Sequence, residues 1–286
     1  MKYRTLFFIS SCLLLLSACN APKGDVKEVY DSDGKTLLQR IEMDGKTKHG
    51  WFQEFTSKGK LKARQFFIHD TLHDTTQLFY PDGRIKTTQV YNKGLKTGCW
   101  KEYNKEGGLV SEINFKDGVL HGNSKEYTYR TGKLLTNITY KEGQKDGVEE
   151  VYYANGQLKS RCRYDQGRPV PGIEEYTETG KLIKNGIDVA TRVKNEMLLA
   201  ERVIYFFKCT TSLTELRAYE CLPVIEGKGV EGFRKLELTE DGFRYEVPVP
   251  QGGHVMTTLN VAFMAKSVLG NTYIKVMQVP IAYDNL

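Results

Sequence analysis

The chain of 286 residues is poor in several things that function classes depend on. It has 8 prolines, 5 histidines and 2 tryptophans. Its longest apolar run, Leu6 to Leu16, would cover about 16 Å as a helix, and a bilayer's hydrocarbon core is about 30 Å thick. That run is too short to span. Nothing resembles a phosphate loop, a zincin helix or a nucleophile elbow; Gly227-Lys228-Gly229 lacks the strand–loop–helix context. The acid pairs Glu149–Glu150 and Glu174–Glu175 are adjacent, so in strands they point to opposite faces and cannot flank one substrate. The formal charge is +6, from 41 bases and 35 acids, without the clustered basic face that nucleic acid requires. Enzyme chemistry, a cofactor site and nucleic-acid binding are therefore not expected.

What is present begins with MKYRTLFFISSCLLLLSACN. Lys2 and Arg4 start it, the apolar run follows, and Leu16-Ser17-Ala18-Cys19 ends it. The pattern reads as a secretory signal. Its end resembles the lipobox of bacterial lipoproteins. The resemblance implies cleavage before Cys19, diacylation of its thiol and acylation of the new amine, tying the chain to membrane by two or three acyl chains. Asn20, not aspartate, follows the cysteine, which by the same resemblance points to the outer membrane. The tether sequence NAPKGDVKE leaves periplasmic and surface-exposed placement both open.

Glycine, at 27 residues, is abundant and periodic. Gly34, Gly59, Gly83, Gly107, Gly132, Gly156 and Gly180 recur in steps of 24 or 25. An aliphatic follows most of them by two residues (Leu61, Ile85, Leu109, Leu134, Leu158). An aromatic follows by eight (Phe67, Tyr91, Phe115, Tyr140, Tyr164), and another precedes by four or five (Phe55, Phe79, Tyr103, Tyr127, Tyr152). Between glycines the pattern alternates: Leu109, Ser111, Ile113 and Phe115 on one side, Val110, Glu112 and Asn114 on the other. Period two between turn signals means half-buried strands. Each repeat is predicted to be a β-hairpin that pairs with the next, advancing about 9.6 Å per repeat. Lys62, Arg64, Lys86, Lys159, Arg161 and Arg163 project from one side and form a candidate face for anionic polymer or lipid headgroups, or a solvated outer face.

The spacing in YKEGQKDGVEEVYYANGQLKSRCRYDQG resembles the MORN repeat, in the bacterial variant found in antitoxin-like proteins, over about residues 30–184. Trp51 and Trp100 sit just after the turn glycines Gly50 and Gly98, where that family prefers tryptophan. The resemblance implies scaffolding, membrane attachment or oligomerisation. Asp70 and Asp74 replace glycines in the second repeat, and the last turn is Arg-Pro-Val-Pro.

After Lys184 the glycine ladder stops. Apolar runs at 203–207, 243–249, 255–265 and 273–281, separated by turn signals, predict an immunoglobulin-like β-sandwich over 185–286; the segment VATRVKNEMLLAERV could be a short helix. Cys209 and Cys221 fall in this unit, and a disulfide between them is permitted by an envelope compartment. Cys99 and Cys162 lie in different repeats, too far apart to pair. His49, His73 and His121 hold one repeat position, and His49 and His73 would be about 9.6 Å apart, so no shared metal is expected.

The expected organisation is a signal peptide (1–18), a tether behind lipidated Cys19 (19–29), an elongated antiparallel ribbon of MORN-type hairpins (30–184) and a small β-sandwich (185–286), all-β throughout. The expected role is a non-enzymatic outer-membrane lipoprotein that scaffolds a protein partner in the envelope. The alternatives are a glycan- or peptide-binding lipoprotein using the aromatic face of the sheet, or an antitoxin-like or immunity protein.

Overall fold

The computed structural model describes residues 24–285. The expected signal peptide and Cys19 lie outside the described residues. Thirteen strands form one antiparallel sheet in strict chain order. They are β1 (Asp25–Tyr30), β2 (Leu37–Asp44), β3 (Thr47–Phe55), β4 (Leu61–Ile68), β5 (Thr71–Phe79), β6 (Ile85–Asn92), β7 (Leu95–Tyr103), β8 (Leu109–Lys116), β9 (Val119–Tyr127), β10 (Leu134–Lys141), β11 (Gln144–Tyr152), β12 (Leu158–Asp165) and β13 (Arg168–Glu175). The ladder begins earlier than predicted: residues 25–29 of the expected tether, with Tyr30, form its first strand, paired with β2. Twelve strand spacings give a sheet about 58 Å across.

The turns explain the glycine period: Gly59, Gly83, Gly107, Gly132, Gly156 and Gly180 are all left-handed, with φ of 72°, 93°, 88°, 64°, 93° and 80°. In the tight hairpins the second turn residue is left-handed, with φ of 79°, 88°, 82° and 80° at Gly94, Gly118, Gly143 and Gly167. Their N–H groups donate to carbonyls of the preceding hairpin, at Leu72, Lys96, Leu120 and Lys145. Each turn is thus tied to the unit before it. Asp70 fills the same place at φ 61° and donates to the Lys48 carbonyl. Glycine, and next to it aspartate or asparagine, takes that conformation with least strain.

Both faces are continuous across units. One carries Ala63, Ser111 and Ser160, all buried between longer neighbours, with Phe67, Phe115 and Tyr164 two rows on. The other carries one polar residue from every strand: Glu28, Arg40, Gln53, Arg64, Gln77, Thr88, Lys101, Glu112, Lys125, Asn137, Glu150, Arg161 and Glu174, each directly paired with the next. The tyrosines before the turns belong to this second face, where Tyr127 and Tyr152 reach Glu112 and Glu150. The two aromatic columns therefore occupy opposite faces, and no single face holds all the rings.

The remaining strands are β14 (Asp188–Asn195), β15 (Arg202–Thr210), β16 (Thr214–Cys221), β17 (Gly232–Lys235), β18 (Glu237–Thr239), β19 (Gly242–Pro248), β20 (His254–Lys266) and β21 (Thr272–Asp284). They form sheets β14-β15-β19-β18 and β17-β16-β20-β21. Lettered A to G with C′ for β17, these orders read A-B-E-D and C′-C-F-G, the immunoglobulin arrangement. The core lies between them, with Val203, Phe207, Val261 and Phe263 almost fully buried. Phe207 and Phe263 meet edge to face, centroids 5.9 Å apart, across the two strands that antibody domains bridge with a disulfide. Of the segment that could have been a helix, 189–195 belongs to strand β14, and only one turn, α1 (Met197–Ala200), is helical.

The Cys209–Cys221 bridge that an envelope compartment would permit is not formed: both are free thiols. Cys209 lies on β15 beside the turn that leads into β16, and Cys221 ends β16, seven residues along that strand. At about 3.4 Å per residue the separation is about 20 Å or more, whereas bridged Cα atoms lie within about 7 Å.

Sheet and sandwich meet through β13 and β21. Glu175, 1% exposed, is the centre of the joint. Its carboxylate accepts from Ser267 Oγ, Asn271 Nδ2 and Asn185 Nδ2, each at 2.6 Å. Farther along, Asp165 accepts from the Gly229 N–H at 3.3 Å and Lys228 Nζ at 3.2 Å, and Arg168 pairs with Glu231 at 2.7 Å.

Candidate functional site

The candidate basic face separates once register is known. Arg64 and Arg161 belong to the thirteen-residue polar row, and Arg163 lies one row over, paired with Val148 and Val170. Lys62, Lys86 and Lys159 sit where the pairing register slips, at β-bulges. The row itself holds four acids (Glu28, Glu112, Glu150, Glu174) against five bases (Arg40, Arg64, Lys101, Lys125, Arg161). Neighbours neutralise one another: Lys101 lies 3.5 Å from Glu112, and Arg161 lies 3.1 Å from Glu150 and 3.3 Å from Glu174. Lys62 pairs with Glu54 at 2.8 Å, and the Arg64 guanidinium stacks 3.7 Å from the Trp51 ring centroid. The six residues do not form one continuous cationic surface.

The row recruits the tyrosine column. Hydroxyls of Tyr30, Tyr127, Tyr152 and Tyr176 donate to Glu28, Glu112, Glu150 and Glu174. Burial and the Glu112 carboxylate raise the Tyr127 hydroxyl pKa. At Glu150 burial pulls upward, but hydrogen bonds from Tyr152, Arg161 and Asn137 outweigh it and the carboxyl pKa is lowered. This face is a set of rings and charges paired with one another.

On the opposite face a cation lies over an aromatic in every second unit: Lys48 at 4.9 Å from Phe67, Lys96 at 5.0 Å from Phe115, Lys145 at 4.8 Å from Tyr164. Leu72 and Leu120 hold the equivalent positions between them. The real chemical repeat on this face is two hairpins, which the 24-residue period conceals.

The thiols are held protonated. Burial pushes Cys162 up to about 12 and Cys209 up to about 11, and it also raises Cys99 and Cys221. Nucleophilic sulfur needs the opposite shift.

The sandwich presents apolar surface at one end. Leu198 and Leu199 of α1 are 97% and 93% exposed. Turn α1 joins β14 to β15 at the end opposite the 267–271 turn that grips Glu175. No helix among the described residues is long and apolar enough to cross a membrane.

One constellation was missed in the sequence. Asp44, His49 and His69 bring one ligand atom each to within 4.8 Å of one another. Repeat register aligns His49 with His73 and gives His69 no equivalent histidine. The visible signal was the His69-Asp70 turn standing where other hairpins have a residue followed by glycine.

No curated protein matches the chain. The family described as MORN repeat variant matches it at residues 96–117 and 145–166. Each match covers one hairpin, β7–β8 and β11–β12, and the hairpins between and before them repeat the same strand lengths and turn ties.

Proposed function

We propose that the protein is a non-enzymatic scaffold of the bacterial cell envelope, lipid-anchored through Cys19 to the outer membrane and docking a protein partner. The observation that supports this most is the unbroken ladder. Thirteen strands carry one self-compensated polar row from end to end, and a buried carboxylate joins the last strand to the sandwich. Such a body holds two ends at a fixed separation. The matched repeat family mediates protein or membrane interactions, which agrees with the reading. The near end follows the lipid attachment; the far end carries Leu198 and Leu199, apolar groups that a partner would cover.

In-cell crosslinking of the full chain, with mass spectrometry of captured proteins, tests the role. Recurrent capture of one envelope protein, lost in a Leu198→Asp, Leu199→Asp variant, is the expected result. Capture unaffected by that variant removes the docking assignment. Metabolic labelling with a palmitate analogue tests the anchor; label retained in Cys19→Ala refutes it. Saturable binding on a dense glycan array would favour the glycan-binding alternative instead.

A further inference from the structure

We propose that Asp44, His49 and His69 form a binding site for one borderline divalent transition cation, with Zn2+ as the reference ion. The three backbones are already adjacent. Asp44 ends β2 and pairs with Thr47 at the start of β3, which carries His49. His69 lies in the turn between β4 and β5, and Asp70 binds that turn to β3 twice: its N–H donates to the Lys48 carbonyl, and its Oδ1 accepts from the Lys48 N–H at 2.8 Å. The His49 and His69 ring centroids are 4.8 Å apart, tilted by 57°.

Ligand atoms of one tetrahedral zinc, each about 2.0–2.1 Å from it, sit about 3.3 Å apart. The present separations, all within 4.8 Å, exceed that value by about 1.5 Å at most. A second observation points to a ligand: His49 Nδ1 is buried and has no hydrogen-bond partner. An unpaired buried nitrogen is costly, and a metal ion or a bound water would satisfy it. The nearest cation in sequence does not compete, because Lys48 Nζ lies over the rings of Phe52 and Phe67, at 5.1 and 4.9 Å.

Two imidazoles and one carboxylate suit zinc, nickel or copper rather than calcium or magnesium, which prefer all-oxygen shells. Three protein ligands leave one position for water. Among the described residues the grouping occurs once: of the left-handed turn residues only His69, at φ 46°, is a histidine.

The full chain in detergent, stripped with EDTA, is titrated with zinc chloride by equilibrium dialysis. One ion per chain is expected. His69→Asn should weaken binding by about tenfold or more, and since asparagine accepts the left-handed conformation the hairpin is kept. His49→Ala should do the same, while His73→Ala and His254→Ala bind as the parent does. No saturable uptake, or equal uptake by the parent and a folded His69→Asn variant, overturns the assignment and leaves the scaffold reading untouched.

Discussion

Glu175 is where the ladder is fastened to the sandwich, and its removal is the sharpest test of that joint. Glu175→Ala takes away three acceptor contacts at once, from Ser267, Asn271 and Asn185. Hydrogen bonds to a charged group contribute about 1.5–3 kcal/mol each, so three independent ones would sum to about 4.5–9 kcal/mol. They are not independent. Asn185 and Asn271 are only half-buried and recover water, while Ser267 stays buried. A net loss of about 3 kcal/mol follows, most of it the cost of leaving the buried Ser267 hydroxyl unpaired. For a unit the size of the sandwich, about 4–8 °C per kcal/mol puts the fall in melting temperature at about 10 °C or more. Glu175→Gln should lose about 1 kcal/mol, because one amide oxygen still faces Ser267 and Asn271 and Asn185 can turn its own amide. A double-mutant cycle of Glu175→Ala with Ser267→Ala, read by calorimetry, should give a coupling energy of about 1–2 kcal/mol. An unchanged melting temperature, or a coupling of zero, would show that the joint carries no load and that sandwich and ladder unfold separately.

Gly242→Ala should destabilise the sandwich by about 2 kcal/mol or more: the residue sits at φ 118° and a Cβ would lie 2.6 Å from the Phe207 carbonyl oxygen, so denaturant melts of the variant are the check. Asp165 is depressed by the Gly229 N–H first and by Lys228 next. Its contribution is therefore present above the ordinary carboxyl value of about 3.9 and lost as pH falls through the lowered one. The Gly229 amide resonance should shift in that acid window, and Asp165→Asn should abolish the step. Cys162, at about 12, should resist iodoacetamide at pH 8 until the chain is denatured; rapid labelling of the native protein would contradict its burial.

The ladder was legible because its physics is local. A left-handed turn position favours glycine, a half-buried strand alternates, and both constraints recur about every 24 residues. In the sandwich the long runs that became β15, β19, β20 and β21 were legible for the same reason. Strands β17 and β18 were not: their side chains are exposed or half-buried, and no apolar alternation marks them. What periodicity hides is whatever differs between equivalent positions. His49 finds its neighbour in the next hairpin's turn, twenty residues on, and the column of repeat equivalents points to His73 instead. The cation–aromatic alternation escapes because its period is two units.

Glu175 makes the point most clearly. It shares one row of the sheet with Glu54, Glu102 and Glu126, which are half-buried or exposed, and sequence assigns all four the same place. Only the last lies on a terminal strand, so only there can another unit descend on the row. Ser267 and Asn271 arrive from a turn 92 and 96 residues away and convert a surface carboxylate into a buried acceptor. A stacked repeat must end somewhere, and the terminal unit has an edge that needs covering. Here the cover is the sandwich, and the residue that fastens it is ordinary by pattern and singular by position.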